Sequence, residues 1–363
     1  MAGYIDMDKV AEYFSRVSGH ITIGIDGYID EVWQVVDSRS SLEDYTVCRQ
    51  MKGFGERIVS RGEGGLTMEI ISKRRNYGGF TGNTSRAVCS LGLRPKVIGM
   101  YGAGVINPVF AGMDETCNLM SIGEPAVCHI FEFEDGKVML PYLRSIQNLD
   151  WGTLTAALGE QALYDIFGGS DIFALGYWSS MHAFDDIISN LCKNSKGKPK
   201  KIFYDFGDVT KREPQALTYT LSALRGLDGC VPMSLSLNEH EAGALYACFG
   251  ESFPQDGEAA EKSIIEMRGR VGISELIVHT PYFAVMASAE EGGAMVKQAH
   301  CERPVRTTGA GDTFNGGYIT ASLGGLNAYE RLAVGNAATS CFVRTGDSPD
   351  RARLMEEMGR REF

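Results

Sequence analysis

Asp171-Ile-Phe-Ala-Leu175, Lys201-Ile-Phe-Tyr-Asp205, Met233-Ser-Leu-Ser-Leu237 and Glu275-Leu-Ile-Val-His279 are four short, mostly apolar runs spaced along one stretch of the chain. Each has strand length, and between them the apolar spacing changes to the helical period at 183–193, 215–224, 239–248 and 258–270. Strand then helix, repeated, predicts an α/β fold: a parallel sheet with helices on both faces. Strands covered on both faces read as continuous apolar runs, as these do. Working outward, His20-Ile-Thr-Ile-Gly-Ile25 and Pro95-Lys-Val-Ile-Gly-Met100 read as further buried strands. Helices are expected at 7–18, 50–61, 81–91, 312–323 and 328–343, and 283–289 opens a short antiparallel ribbon. Two strand-rich segments, about 30–76 and 105–145, break the rhythm. The first includes a strand at 67–72; the second has a hairpin whose turn is Glu134-Asp-Gly136. With no Pro- or Ser-rich linker present, the expectation is one domain over 1–363 with a small β-sheet lid built from these two segments.

Composition narrows the function classes. The 363 residues carry a formal net charge of -11, from 35 Lys+Arg against 46 Asp+Glu. That opposes non-specific binding to nucleic acid or to an anionic membrane. The nine cysteines are odd in number and form no C-x-x-C, so reduced thiols in a cytoplasmic protein are expected rather than a disulfide framework or structural zinc. Residues 1–19 show no signal-peptide core, and no apolar run approaches the roughly 18 residues of a membrane span. Glycine is in excess, 44 of 363 residues, and clusters beside apolar runs, as where backbone must come close to a ligand.

The densest cluster is Thr307-Thr308-Gly309-Ala310-Gly311-Asp312-Thr313-Phe314-Asn315-Gly316-Gly317. It places backbone N–H groups at the start of a helix, which favours anions. Asp312 sits in the same first turn. A carboxylate beside an anion site is electrostatically poor unless it takes a proton or orients a hydroxyl. Phosphoryl transfer to an alcohol needs both parts: a base for the attacking hydroxyl and donors for the charge on the transferred group. The plainer reading is a capped helix with an acidic first turn.

This run resembles the C-terminal signature of the ribokinase-like (PfkB-type) carbohydrate kinases, and other elements match in order. Gly24-Ile-Asp26-Gly-Tyr-Ile-Asp30 is similar to the family's first strand, Gly78-Gly79-Phe80-Thr81-Gly82-Asn83 to its G-G-x-x-x-N element, and Asn238-Glu239-His240-Glu241 to its N-x-x-E motif. Val343-Arg-Thr-Gly346 is similar to the loop that closes the nucleotide site. The resemblance implies a three-layer α/β/α sandwich with a mostly parallel central sheet. It implies an enzyme that uses ATP and Mg²⁺ to phosphorylate a hydroxyl of a sugar-like substrate. Asp312 would then be the base, with Gly309, Ala310 and Gly311 as the anion hole. Asp26, Asp30, Gly78, Gly79 and Asn83 would bind substrate, with Arg144 of Tyr142-Leu143-Arg144 reaching in from the lid. Asn238, Glu241, Thr280, Thr308, Asn336 and Gly346 would serve the nucleotide, and Glu241 would hold the metal through water. Turn chemistry at Asp26-Gly27, an N-cap at Asn238 and a solvated Arg144 are the competing readings. A homodimer through the lid is also expected.

Two positions depart from the pattern. Arg306 stands where the family commonly has an aspartate that helps bind a monovalent cation, so its guanidinium is expected to replace that cation. His279-Thr280-Pro281-Tyr282-Phe283 lacks the usual glycine turn after the nucleotide-site strand. Two alternatives remain beside the sugar kinase: a nucleoside kinase with an aromatic clamp drawn from Tyr28, Trp33 or Phe131, and a sugar-binding sensor without catalysis. No zinc-ligand spacing, complete dinucleotide fingerprint or serine-hydrolase elbow is present.

Overall fold

The computed structural model describes residues 5–360; residues 1–4 and 361–363, part of the span assigned above to one domain, lie outside the described residues. In chain order the strands are β1 (Ile21–Gly24), β2 (Tyr28–Arg39), β3 (Tyr45–Val47), β4 (Ile70–Gly78), β5 (Lys96–Gly99), β6 (Asn118–Ser121), β7 (Ala126–Phe133), β8 (Gly136–Tyr142), β9 (Ile172–Leu175), β10 (Lys201–Asp205), β11 (Met233–Asn238), β12 (Glu275–His279), β13 (Phe283–Ser288) and β14 (Gly292–Lys297). Nine of them form one sheet in the order β14-β13-β12-β11-β10-β9-β1-β5-β6. From β12 to β6 every pairing is parallel, and β13 and β14 close the other edge antiparallel.

Period-two geometry splits each central strand between two cores. Phe173 and Leu175, Ile202 and Tyr204, and Leu235 and Leu237 pack on one face, while Ile172, Ala174, Phe203 and Ile277 pack on the other. A parallel sheet buried on both sides places its open, ligand-accessible edge at the carboxyl ends of its strands. Asp26 lies just past β1, Tyr177 just past β9, and Asp205, Asn238 and His279 end β10, β11 and β12.

The smaller sheet has five strands, ordered β3-β2-β7-β8, with β4 also paired to β2. Its link to the main body is short: β1 passes through Ile25-Asp26-Gly27 straight into β2. An added Cβ at Gly27 would lie 2.1 Å from the Met100 carbonyl oxygen, so only glycine fits this crossing. Val32, Cys128 and Ile130 form one small core and Val35, Cys48 and Phe133 another, the latter covered by Phe54 of the helix Met51–Ser60. Leu42, Ile58, Val59, Leu140 and Tyr142 are left exposed on this sheet and its connections.

Two sequence expectations need correction. The segment 105–145 does not belong wholly to the small sheet: β6 pairs in parallel with β5 at the edge of the large sheet, and the small sheet resumes only at Ala126. The strand expected at 67–72 runs instead over Ile70–Gly78, paired antiparallel with β2 from Tyr28↔Gly78 to Val35↔Ile70. Its middle, Lys73-Arg74-Arg75, is charged and exposed, so apolar content could not mark it. No described helix is long and apolar enough to cross a membrane, and no disulfide forms among the described residues.

Candidate active site

Two cavities meet at the turn Thr307–Gly311. One, of about 440 Å³, is lined by Asn238, His279, Thr280, Ala310, Gly311 and Val343 among others. The second, of about 550 Å³, lies under the small sheet and is lined by Asp30, Arg74, Asn76, Glu132, Lys137, Arg306 and Thr308 among others. Pro304 and Thr307 line both.

Gly309 caps the helix Ala310–Ala321 in the left-handed region, at φ 90°, where a side chain would be strained. An added Cβ at Gly311 would sit 3.0 Å from the His279 ring, so this side of the turn must also be bare. The Ala310 N–H, which the resemblance places in the anion hole, donates to the Thr307 carbonyl at 3.1 Å. Asp312 is buried in the first helical turn. Its Oδ2 accepts from Asn83 Nδ2 at 2.9 Å, and the Tyr177 hydroxyl donates to both Oδ1 and Oδ2, at 2.8 and 2.9 Å. Burial lifts its pKa to about 6, against the pull of the Asn83 and Tyr177 bonds.

The other expected residues divide. Asp30 lines the cavity under the small sheet; burial raises its pKa, with Arg306 and Lys137 opposing. Gly78 makes room for it, since an added Cβ there would come within 2.3 Å of its Oδ2. Asp26 does not face that cavity. Its carboxylate is buried and accepts from the Phe80 and Thr81 N–H groups at 2.8 and 2.9 Å, so it anchors the helix Gly79–Ser90. Gly79, at φ 79°, opens that helix against Asp26 and Tyr28. Asn83 faces Asp312, and its Oδ1 accepts from Arg86 at 3.0 Å.

Arg144 is exposed at the start of a short helix and lines neither cavity described here. The small sheet lines the cavity with two cations, Arg74 of β4 and Lys137 at the start of β8, and the Lys137 ammonium donates to the Thr308 hydroxyl. Thr308 therefore lines this cavity and not the one bordered by Asn238 and Thr280. Arg306 lies beside it, its Nε donating to the Thr308 carbonyl at 3.2 Å and its guanidinium 5.2 Å from the Phe342 ring centre.

On the other side, Asn238 and Glu241 form a reciprocal helix cap, with bonds of 2.9 and 3.0 Å to each other's N–H groups. Asn238 still lines the cavity, while Glu241 is buried behind it. Thr280 locks the β12–β13 turn through the N–H groups of Tyr282 and Phe283. Asn336 is spent on structure: its amide donates to the carbonyls of Val296 and Lys297. Gly346 caps the helix Ala328–Thr345 at φ 86° and does not line the cavity.

Four residues at the site were not anticipated: Tyr177, Lys137, Asp205 and His279. Asp205 is buried, bonded to Asn315 Nδ2 and the Gly207 N–H, and pushed up to about 7 by burial and by the charge of Asp312. His279 is held neutral by burial, at about 4. A strand ending in an acid or histidine was the available signal for these two.

The sequence and the fold both have known counterparts. A family profile described as prokaryotic ketohexokinase matches residues 9–359. The ketohexokinase of Haloferax volcanii is 30% identical over 337 residues, which is 91% of this chain and 88% of that protein. Among solved structures, phosphofructokinase-2 from Escherichia coli superposes with a TM-score of 0.65 at 13% identity, covering 94% of this chain and 99% of that one. The protein named ribokinase II from the same organism, in complex with ATP and Mg²⁺, gives 0.62 at 18%, covering 95% and 100%. At such identities these two matches speak for the fold alone.

Proposed function

Because the chain belongs to the prokaryotic ketohexokinase family, and is thereby a carbohydrate kinase, we propose that it transfers the γ-phosphoryl group of ATP to a hydroxyl of a ketohexose, with Asp312 as general base. The observation that carries this is the position of Asp312: the first turn of the helix whose glycine turn separates the two cavities. In this reading the cavity bordered by Asn238, His279 and Val343 takes the nucleotide, and the one under the small sheet takes the sugar. Asp30 accepts hydrogen bonds from sugar hydroxyls, the strong kind that a carboxylate receives. Asp312 takes the proton of the attacking hydroxyl. The amides of Gly309 and Gly311 and the helix N-terminus face the charge that develops on the transferred group. Lys137 and Arg306 add fixed positive charge beside Thr308, so no monovalent cation is needed there. The lid over the sugar excludes water that would otherwise compete as acceptor.

The residues fit a divalent cation bound chiefly through its own water. Among the described residues no group of three His, Cys, Asp or Glu is placed to hold a metal directly. Asp312 nevertheless raises the pKa of Asp205, and both raise that of Glu241, a local excess of negative charge that a cation relieves. Glu241 is occupied by Asn238 and would reach such an ion through water, as suits Mg²⁺. When bound, Mg²⁺ neutralises phosphate charge.

The nucleoside reading loses its clamp. Tyr28 is buried, Phe131 stacks on Phe54 at 6.1 Å, and neither they nor Trp33 line the cavity under the small sheet. The test is an ATP-consumption screen over ketohexoses, aldoses, sugar acids and nucleosides, run beside Asp312→Asn. The expected result is a ketohexose preference, with the variant's kcat lowered about a thousandfold or more at unchanged nucleotide affinity. Near-normal turnover by the variant would refute the assignment of the base.

A further inference from the structure

We propose that Tyr177 is a positioning residue for the base, and that together with Asn83 it leaves Oδ1 of Asp312 as the more open oxygen to take the sugar's proton. The proposal rests on the reading of Asp312 given above. A carboxylate offers about four acceptor directions, two on each oxygen. Oδ2 accepts a full bond from Asn83 Nδ2 at 2.9 Å, and it shares the single Tyr177 hydroxyl proton with Oδ1 in a three-centre bond, at 2.9 and 2.8 Å. Oδ1 has no donor but its share of that proton, so it is the less occupied oxygen and keeps a direction free. A hydroxyl bridging both oxygens also fixes the plane of the carboxylate. The ring carrying that hydroxyl is itself fixed, packing edge-on to Phe80 at 6.0 Å. Burial and the carboxylates of Asp312, Asp205 and Asp26 push the ionisation of Tyr177 far up, so it stays a donor.

The groups that bear on Asp312 come from every side. Arg86, one turn along from Asn83, favours its charged form, and Asp30 of β2 opposes it. Asp26 after β1, Asp205 at the end of β10 and Glu241 after β11 are coupled to it by like charge. His279, at the end of β12, is neutral. Tyr177 and Asn83 are thus neutral donors that keep the carboxylate ionised among other acids. In the transfer step the proton of the sugar hydroxyl moves to Oδ1. The hydroxyl oxygen forms the new bond to the γ-phosphorus of the nucleoside triphosphate. The bond from that phosphorus to the β–γ bridging oxygen breaks, and its electron pair leaves with the diphosphate. Tyr177 keeps its proton throughout.

The experiment is the pH dependence of kcat/KM for the wild type and Tyr177→Phe, which removes only the hydroxyl. The wild-type acid limb is expected near pH 6, where Asp312 titrates. Losing a donor to the charged form raises the pKa, so the limb should move up by roughly one pH unit. At the optimum kcat should fall about tenfold or more, the scale of one charge-assisted hydrogen bond, with nucleotide affinity unchanged by calorimetry. An acid limb that stays in place or moves down, with kcat within about twofold, overturns the proposal. If Tyr177→Phe does not fold, Asn83→Ala reads the same quantity and must move the limb the same way. Asp312→Asn, measured alongside, separates the two readings. If it stays active, the base assignment itself fails; if it is dead while Tyr177→Phe keeps its limb and kcat, only the positioning role fails.

Discussion

Asp30 is flanked by charges of the opposite sign. Arg306 and Lys137 both favour its ionised form, whereas Glu132, the other acid of this cavity, is already bonded by Lys73 and Arg74. A half-buried carboxylate facing a cavity, with burial pushing its pKa up and two cations opposing, is an acceptor for paired sugar hydroxyls. Asp30→Ala is therefore expected to raise KM for the sugar about tenfold to a hundredfold, the cost of one or two charge-assisted bonds. KM for ATP should change little, and steady-state kinetics with each substrate varied in turn will show it. An equal rise in both KM values would move Asp30 out of the sugar site. Asp312, Gly309 and Asp30 were legible in the sequence because their signals are local: an acid in a glycine-rich helix start, an acid after a strand. Tyr177 and Lys137 were not legible, because their partners lie 135 and 171 residues away. Arg144 misled because the end of a hairpin says nothing about which residue of it points inward. Asp26 carries the same strand-end signal as Asp30, and what separates them is the pair of N–H groups at Phe80 and Thr81 that only the folded chain brings near.

The helix Gly79–Ser90 joins the small sheet to Asp312. Its start follows β4 directly and is held by Asp26, and its first turns carry Asn83. At Gly79, φ is +79°, and an added Cβ would lie 2.5 Å from the Tyr28 ring and 2.6 Å from Asp26 Oδ2. Alanine there suffers both the left-handed backbone, about 1–2 kcal/mol, and a clash with the carboxylate that holds the helix. Gly79→Ala should therefore lower Tm by roughly 5 °C or more and, by displacing Asn83, lower kcat as well. Differential scanning calorimetry with parallel turnover measurements tests this. A variant with unchanged Tm would mean that the helix start is free to shift. The helix was legible from its pattern, and its glycine pair from the motif. The boundaries of the lid were not: β6 is an edge strand of four residues whose sheet is decided by its pairing with β5 rather than by any local preference.

The net charge of -11 is unevenly spread, and its buried part has a consequence for the whole molecule. Asp26 and Asp205 titrate at about 7 and Asp312 at about 6, all raised mainly by burial, whereas an unfolded aspartate titrates near 3.9. Between these limits the folded protein binds more protons than the unfolded chain, so stability falls as pH rises from about 4 to about 7. Glu275 works in the opposite sense: Lys201 and Arg331 hold it at about 2 despite burial, so its contribution is lost only as pH falls below the usual carboxylate range. The two windows do not overlap, and the fall towards neutral pH can be read separately. Asp205→Asn removes one buried charge and keeps an acceptor for the Gly207 N–H, but it gives up the bond that Oδ2 accepts from Asn315 Nδ2, a cost that does not vary with pH. Relative to the wild type the variant should gain stability from pH 5 to pH 8, on the order of 1–2 kcal/mol, with kcat lowered. Urea unfolding at a series of pH values measures it. A stability difference that is flat with pH would mean that these carboxylates are not strained by their burial. The cluster would then cost the fold nothing, and the electrostatic case for a cation at this site would fall with it.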